Sequence, residues 1–261
     1  MGLTYQSGGS HTWREASIAK GPYPVVVLSG NPNTGKSTLF NALSGMNQHT
    51  GNWPGKTVLR AEGVFSHQGM KFTVIDLPGT YSLMANSMEE QVARDFICFG
   101  DPKAVVVVAD ATCLERNLNL VLQITEITPR VLVCLNLMDE AKKKGIKIDA
   151  DLLAKELGVP VIPTVAREKK GLNELKKSIF DLVSGQLVTN PVKVIYDSQV
   201  EETLANLEAR LRPLLPSHIN ARWLALRLLD GDKSIVASLE QHLHQVSAIR
   251  GIGGELTAWA R

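Results

Sequence analysis

From residue 24 to about residue 187, short apolar runs alternate with amphipathic stretches. "VVVLSG", "KFTVIDL", "AVVVVAD", "RVLVCLN" and "PVIPT" are brief, rich in Val and Ile, and bounded by turn-forming residues, which predicts strands. Between them, "KSTLFNALSG", "MEEQVARDFIC", "ERNLNLVLQIT", "ADLLAKELG" and "LNELKKSIFDLV" repeat apolar residues at helical spacing and predict helices with one buried face. Continuous apolar strands interleaved with helices make an α/β fold with a mostly parallel sheet of roughly six strands, buried on both faces. "VLRAEGVFSHQG" alternates instead and predicts one antiparallel edge strand beside "KFTVIDL". After "VTNPV" the pattern becomes wholly helical: Val200, Leu204, Leu207 and Leu211, then Trp223, Leu224, Leu226, Leu228 and Leu229, then Ile235, Leu239 and Val246. Breaks fall at Pro213, Pro216 and Gly231. The chain thus divides into a lead over 1–23 read as flexible, an α/β domain over 24–187 and a small all-α domain over 192–261.

Composition narrows the function classes. With 261 residues, 44% apolar, 21% charged and a formal net charge of +2, the chain reads as soluble and globular, and charge gives no argument for nucleic acid or an acidic membrane surface. The longest apolar runs, "AVVVVA" and "VLVCLNLM", fall well short of the roughly 18 residues a membrane span needs. Cys98, Cys113 and Cys134 lack any paired spacing and read as reduced core thiols of a cytosolic protein.

The chemistry starts where the first strand ends. "GNPNTGKS" fits G-x-x-x-x-G-K-S between a strand and a helix, the context that makes a phosphate-binding loop credible. Gly30 and Gly35 let the backbone wrap closely around phosphate, and the amides of Asn31, Pro32's neighbours Asn33 and Thr34, and the helix start at Lys36, Ser37 and Thr38 point at the anion. Lys36 would reach the β- and γ-phosphates and the Ser37 hydroxyl would bind Mg²⁺. "DLPG" follows: Asp76 ends a strand where a carboxylate can hold Mg²⁺, Leu77 and Pro78 shape the turn, and Gly79 lets an amide meet the γ-phosphate. "NLMD" ends another strand with Asn136, Leu137, Met138 and Asp139, whose carboxylate can accept from two guanine donors that adenine does not present. "TVAR" places Thr164, Val165 and the Ala166 amide after the next strand, where the amide can meet guanine O6. Each motif alone is weak or also fits a helix cap or turn, but all four in chain order at strand carboxyl ends point to guanine nucleotide binding.

The runs "GNPNTGKSTLFNALSG", "TGNWPGKTV", "DLPGTYSL", "NLMDEAKKKGIKID" and "RWLALRLLDGD" resemble the cytosolic N-terminal part of the prokaryotic ferrous iron transport protein B family. That resemblance implies a Ras-like P-loop GTPase domain followed by a helical domain that stabilises the GDP-bound state. It implies GTP hydrolysis to GDP and phosphate in the service of Fe²⁺ transport, at the cytoplasmic side of the bacterial inner membrane. The partners it implies are guanine nucleotide, the membrane permease part of the full-length protein, small accessory Feo proteins and further copies of the chain, with no nucleic acid. It assigns Thr57 as the switch I threonine that joins Mg²⁺ and γ-phosphate, and Gly51, Asn52, Trp53, Pro54 and Gly55 as the moving switch. Leu137 and Val165 depart from the lysine and serine common at those places in other GTPases.

Thr80 stands where Ras-like enzymes carry the glutamine that orients water, and the chain supplies no evident arginine finger. The resemblance supplies an alternative, K⁺ held by the Asn33 side chain with the carbonyls of Gly51 and Trp53, neutralising charge where a finger would sit. Asn33, Lys36, Thr57 and Gly79 are then the residues expected to carry hydrolysis. Trp53 is equally well read as an exposed loop or partner-facing aromatic. Two other functions fit the motifs: a K⁺-dependent GTPase of ribosome or tRNA maturation, and a nucleotide switch with negligible turnover.

Overall fold

The computed structural model describes residues 21–45, 48–53, 56–84 and 86–244. The lead over residues 1–20, Pro54, Gly55 and Val246 lie outside them.

The central strands form where the sequence is most apolar. In β1 (Val25–Gly30) and β6 (Val131–Asn136) every residue is buried, and in β5 (Ala104–Asp110) all but the last. β-branched side chains pack well on both faces of such a sheet, and no face is left for polar residues. With β4 (Met70–Asp76) and β7 (Val161–Pro163) these make the parallel part of a seven-stranded sheet of order β2-β3-β4-β1-β5-β6-β7. β3 (Leu59–His67) runs antiparallel to β4, as its alternation predicts. It is not the edge, however. The polar, Gly-containing run Gln48–Asn52 pairs antiparallel with it as β2, adding the strand that no hydrophobic pattern announces.

Register brings the functional ends together. Leu28 is opposite Asp76, Gly30 opposite Val108 and Asp110 opposite Asn136, so the carboxyl ends of β1, β4, β5 and β6 lie along one edge, where α/β sheets bind ligands.

Each sheet face is covered by helices. Against one face, Leu39, Phe40 and Leu43 of α1 (Lys36–Ser44) and Leu172, Leu175 and Ile179 of α6 (Leu172–Val183) meet Val26, Leu28, Val106 and Leu132. Against the other lie α2 (Met88–Phe99) and α3 (Leu114–Ile127), through Val92, Phe96, Leu120 and Ile124. Two shorter helices complete this region: α4 (Met138–Lys143), which follows Leu137 in the left-handed conformation (φ 62°), and α5 (Ala150–Leu157), capped by Asp149.

The second core runs without a break into the helical segment. Leu204, Leu207 and Leu211 of α7 (Ser198–Leu211), Trp223, Leu224 and Leu228 of α8 (Ala221–Leu229), and Ile235 and Leu239 of α9 (Lys233–His244) are buried in the same cluster as α2 and α3. Leu229 is the exception and is exposed. Each buried aliphatic contributes about 1.5–3 kcal/mol by leaving water, so this shared cluster is the main force docking the segment. Polar bonds fix its register: Asn220 caps α8 through the Trp223 amide and its Nδ2 donates to the Glu126 carbonyl at 2.7 Å. No helix among the described residues is long and apolar enough to cross a membrane. Cys98 and Cys134 are buried as expected, whereas Cys113 is exposed at the start of α3, its thiol donating to Asp110 Oδ2 at 3.4 Å.

Candidate nucleotide site

The loop after β1 can exist only with glycine at its two ends. A Cβ on Gly30 would sit 2.5 Å from the Val108 carbonyl oxygen, and Gly35, at φ 82°, would place one 2.4 Å from Asn136 Nδ2. Between them Thr34 Oγ1 donates to the Asn31 carbonyl at 3.0 Å, and Asn33 is exposed with φ 66°. Asn31 is buried with both side-chain polar atoms unpartnered, and Pro32 lies against Gly79, whose added Cβ would be 3.3 Å from the Pro32 Cα.

The phosphate end of the site is charged and oxygen-rich. Lys36 Nζ pairs with Asp76 Oδ1 at 2.5 Å, and Ser37 Oγ donates to Asp76 Oδ2 at 3.3 Å. One hydroxyl and one carboxylate at the start of a helix form the kind of hard oxygen donor set that Mg²⁺ takes, with water and phosphate oxygens completing it. Thr38, one residue on, is exposed on α1.

Asn136 organises the base end from beneath. It is 1% exposed. Its Nδ2 donates to the Thr34 carbonyl at 2.9 Å, and its Oδ1 accepts from Ala166 N at 3.0 Å and from Thr164 Oγ1 at 3.2 Å. One side chain therefore joins three of the four sequence motifs. The Ala166 amide, read from sequence as a partner for guanine O6, is engaged by Asn136 here. Met138 packs against the core and its amide donates to the Thr164 carbonyl at 3.3 Å, while Val165 bridges to Lys170. The Asp139 side chain is only 18% exposed. One of its oxygens pairs with Arg167 and the other is buried with no partner. Sequence reasoning missed Arg167, which also reaches Glu140 at 3.0 Å; the Asp139 carboxylate raises its guanidinium pKa further. No signal in the sequence singles it out, because Asp139 and Arg167 lie on separate segments that only the fold brings together.

Thr80 is 3% exposed: its amide donates to the Gly30 carbonyl at 3.2 Å and its hydroxyl is buried without a partner. Leu77 is buried beside it, and its amide donates to the Leu28 carbonyl at 3.0 Å.

The segment read as a mobile switch is where expectation and structure differ. Gly51 and Asn52 belong to β2, paired with Arg60 and Leu59, and Trp53 is 1% exposed, so it is neither an exposed aromatic nor partner-facing. The Trp53 carbonyl accepts from Lys56 N at 3.0 Å, and its amide donates to the Val58 carbonyl at 2.9 Å. β2 is three strand spacings, about 14 Å, from β1, so this conformation does not gather Gly51 and Trp53 with Asn33 as a cation shell. Thr57 is exposed within the same turn. The physical reason is that an edge-strand ladder and a buried indole outweigh the freedom a Gly-rich stretch would otherwise have.

With this geometry in view, comparison with known proteins is decisive. The model of ferrous iron transport protein B matches residues 24–179, and that of the FeoB cytosolic helical domain matches residues 196–257. The chain belongs to the ferrous iron transport protein B family. It is 41% identical over 229 residues to the Fe(2+) transporter FeoB of Escherichia coli K12, covering 84% of this chain and 29% of that one. The chain thus spans less than a third of the length of that curated relative. The solved cytosolic domain of the T. maritima FeoB iron transporter in its GDP form superposes with a TM-score of 0.76 at 41% identity, over 85% of this chain and 87% of that one. The same T. maritima domain has been solved in a GMPPNP form. The isolated T. maritima G domain, 45% identical, covers 61% of this chain and 98% of its own with a TM-score of 0.59. The Ras-like G domain and the appended helical unit are therefore the family's architecture.

Proposed function

We propose that the chain binds GTP and GDP and hydrolyses GTP, as the regulatory unit of a ferrous iron transporter whose permease part lies in the bacterial inner membrane. One observation carries this reading: the Lys36, Ser37 and Asp76 cluster and Asp139 lie at one sheet edge, where Asn136 joins the loop after β1 to the turn after β7. We divide the chain accordingly into a G domain over 24–187 and a helical domain over 192–261. Relatives solved with GDP and with GMPPNP support the choice of nucleotide.

In this reading the loop amides and Lys36 hold the β- and γ-phosphates, and Ser37 and Asp76 hold Mg²⁺, which supplies charge neutralisation at the phosphates when bound. Lys36 must then exchange its bond to Asp76 for one to phosphate. Asp139 selects guanine. Its two acceptor oxygens suit the two adjacent donors of that base, and Arg167 holds the carboxylate in place. Thr80 is not assigned the water, because its hydroxyl is buried in this conformation. The water instead falls to Gly79 and to Thr57, once switch I leaves β3. With that segment over the loop, Asn33 and the Gly51 and Trp53 carbonyls would hold K⁺. The test is single-turnover GTP hydrolysis in matched K⁺ and Na⁺ buffers, beside calorimetry with GDP and ADP. Faster hydrolysis in K⁺ and selective GDP binding are expected; equal affinity for ADP and GDP would overturn the guanine assignment.

A further inference from the structure

Beyond the DLPG turn the chain is fastened to α3. Tyr81, the second residue past Gly79, is partly exposed and carries the Arg116 guanidinium over its ring, 4.1 Å from the centroid. No carboxylate among the described residues pairs with Arg116, so the ring is its partner. Further along the same helix, Gln123 Oε1 accepts from the Leu83 amide at 2.7 Å. Arg116 and Gln123 are two helical turns apart and therefore share one face of α3, presenting a cation and an acceptor to a single short segment. Leu83 itself is buried in the cluster that holds Leu120 and Ile124 of that helix.

The turn is fixed at its start as well. Leu77 N donates to the Leu28 carbonyl and Thr80 N to the Gly30 carbonyl, and Gly79 lies so near the phosphate loop that an added Cβ would sit 3.3 Å from the Pro32 Cα. Gly79 is thus held between the loop and α3. A turn containing glycine and tethered at one end only would sample many conformations, whereas two tethers keep Gly79 at the rim of the loop.

We propose that Arg116 and Gln123 are positioning residues for GTP hydrolysis: together they clamp Tyr81 and Leu83 to α3 and so keep the Gly79 amide aimed at the place of the γ-phosphate. The inference rests on the nucleotide reading above, in which that amide meets the γ-phosphate, and adds what aims it. Ordering a group before the reaction removes the cost of ordering it in the transition state. GDP presents no γ-phosphate and does not draw on the clamp, so the effect belongs to the rate and not to GDP affinity. An exposed cation–π contact shifts an equilibrium about two- to fivefold, and the hydrogen bond from Leu83 adds a factor of similar size.

The test uses the full chain, with single-turnover GTP hydrolysis at saturating protein beside calorimetry with GDP. Arg116→Gln and Tyr81→Leu should each slow hydrolysis about threefold, and the two combined should be no slower than either alone, because both remove one contact. Arg116→Gln with Gln123→Met, which opens both tethers, should slow it about tenfold. Arg116→Lys, which keeps a cation over the ring, and Tyr81→Phe, which keeps the ring, should hydrolyse within twofold of the unaltered protein. GDP affinity should stay within twofold in every variant. Hydrolysis within twofold of the unaltered rate in the Arg116→Gln, Gln123→Met protein overturns the proposal. So does a loss of GDP affinity in proportion to the rate, which marks a merely structural effect, or an Arg116→Lys variant as slow as Arg116→Gln. Should Gln123→Met prevent folding, the surface variants at 81 and 116 decide by the same criteria. An unaltered protein that binds GDP but hydrolyses no GTP overturns this inference, and one that binds neither nucleotide overturns the nucleotide reading as well.

Discussion

A single buried side chain, Asn136, joins the loop after β1 to the turn after β7. Asn136→Ala leaves the Thr34 carbonyl and the Ala166 amide without partners, and each unsatisfied buried group costs about 1–3 kcal/mol. A fall in melting temperature of several degrees, with weakened GDP binding, is expected by calorimetry. Asp139→Asn should act differently. One acceptor becomes a donor, so GDP should bind more weakly and xanthosine diphosphate more tightly; unchanged GDP affinity would place the base elsewhere. Thr80 and Asn33 make a second contrast. Thr80→Ala removes a buried hydroxyl that bonds to nothing, so turnover should hardly change. Asn33→Ala should abolish K⁺ stimulation while GDP affinity stays nearly constant, since an interaction made chiefly in the transition state appears in rate. Loss of about 10² in rate in K⁺ buffer is expected, and a Thr80→Ala variant that dies while Asn33→Ala survives would reverse the assignment. Glu126 supplies a pH signature. Burial raises its carboxyl pKa, with Arg227 and Arg222 opposing. A raised acid costs stability where it is ionised in the folded state, so its penalty is absent below the unfolded pKa and grows as pH rises through the folded one. Glu126→Gln should therefore raise the melting temperature at pH 7 and lose that advantage on acidification; an advantage that is constant with pH would assign it to packing instead.

At the scale of elements, legibility followed hydrophobic period. β1, β4, β5 and β6 are runs that only a doubly covered sheet can bury, and helices α1, α2, α3 and α6 repeat at helical spacing, so each was read directly. β2 and α4 were not legible. β2 is "QHTGN", held by its backbone ladder to β3 and by the Trp53 that follows it, and both depend on residues distant in sequence. α4 begins from Leu137 in the left-handed region, a conformation a leucine adopts only because the strand end and the Thr164 turn impose it. The phosphate and base motifs were legible because each is local. Their connection through Asn136, and the clamp of Arg167 on Asp139, are contacts between segments and could not be. Gly158 gives this scale its test. It closes α5 at φ 69°, and an added Cβ would sit 1.9 Å from the Asn190 carbonyl oxygen, where the Gly158 carbonyl accepts from Asn190 N at 3.0 Å. Gly158→Ala should force the 189–192 connection off α5, and a clear drop in melting temperature is expected, whereas Gly145→Ala, with open space around its Cβ, should cost only the strain of its positive φ.

The whole molecule is two units that share one of its two apolar clusters, which makes truncation informative. Removing residues 192–261 uncovers the α2 and α3 face, where Leu120, Ile124 and Phe96 now meet Leu204, Trp223 and Leu239. The sheet and the loops of the nucleotide site are built without that segment, and the related T. maritima G domain was solved alone, so the shortened chain should fold with its guanine specificity intact. It should be less stable, bind a hydrophobic dye through the uncovered face, and aggregate more readily. Its kinetics separate two views of the helical unit. If that unit only covers apolar surface, a detergent or solubilising substitutions on the uncovered face restore the shortened chain fully. If it also holds α2, where Arg94 donates to Ser234 and Asp232 of the helical unit, GDP should leave the shortened chain faster even when solubility is restored, because Phe96, packed edge-on against Trp53, has lost its outer support. Stopped-flow release of a fluorescent GDP measures this. Release as slow as from the full chain, with unchanged affinity, would reduce the helical unit to a cover and leave the nucleotide chemistry of the G domain standing on its own.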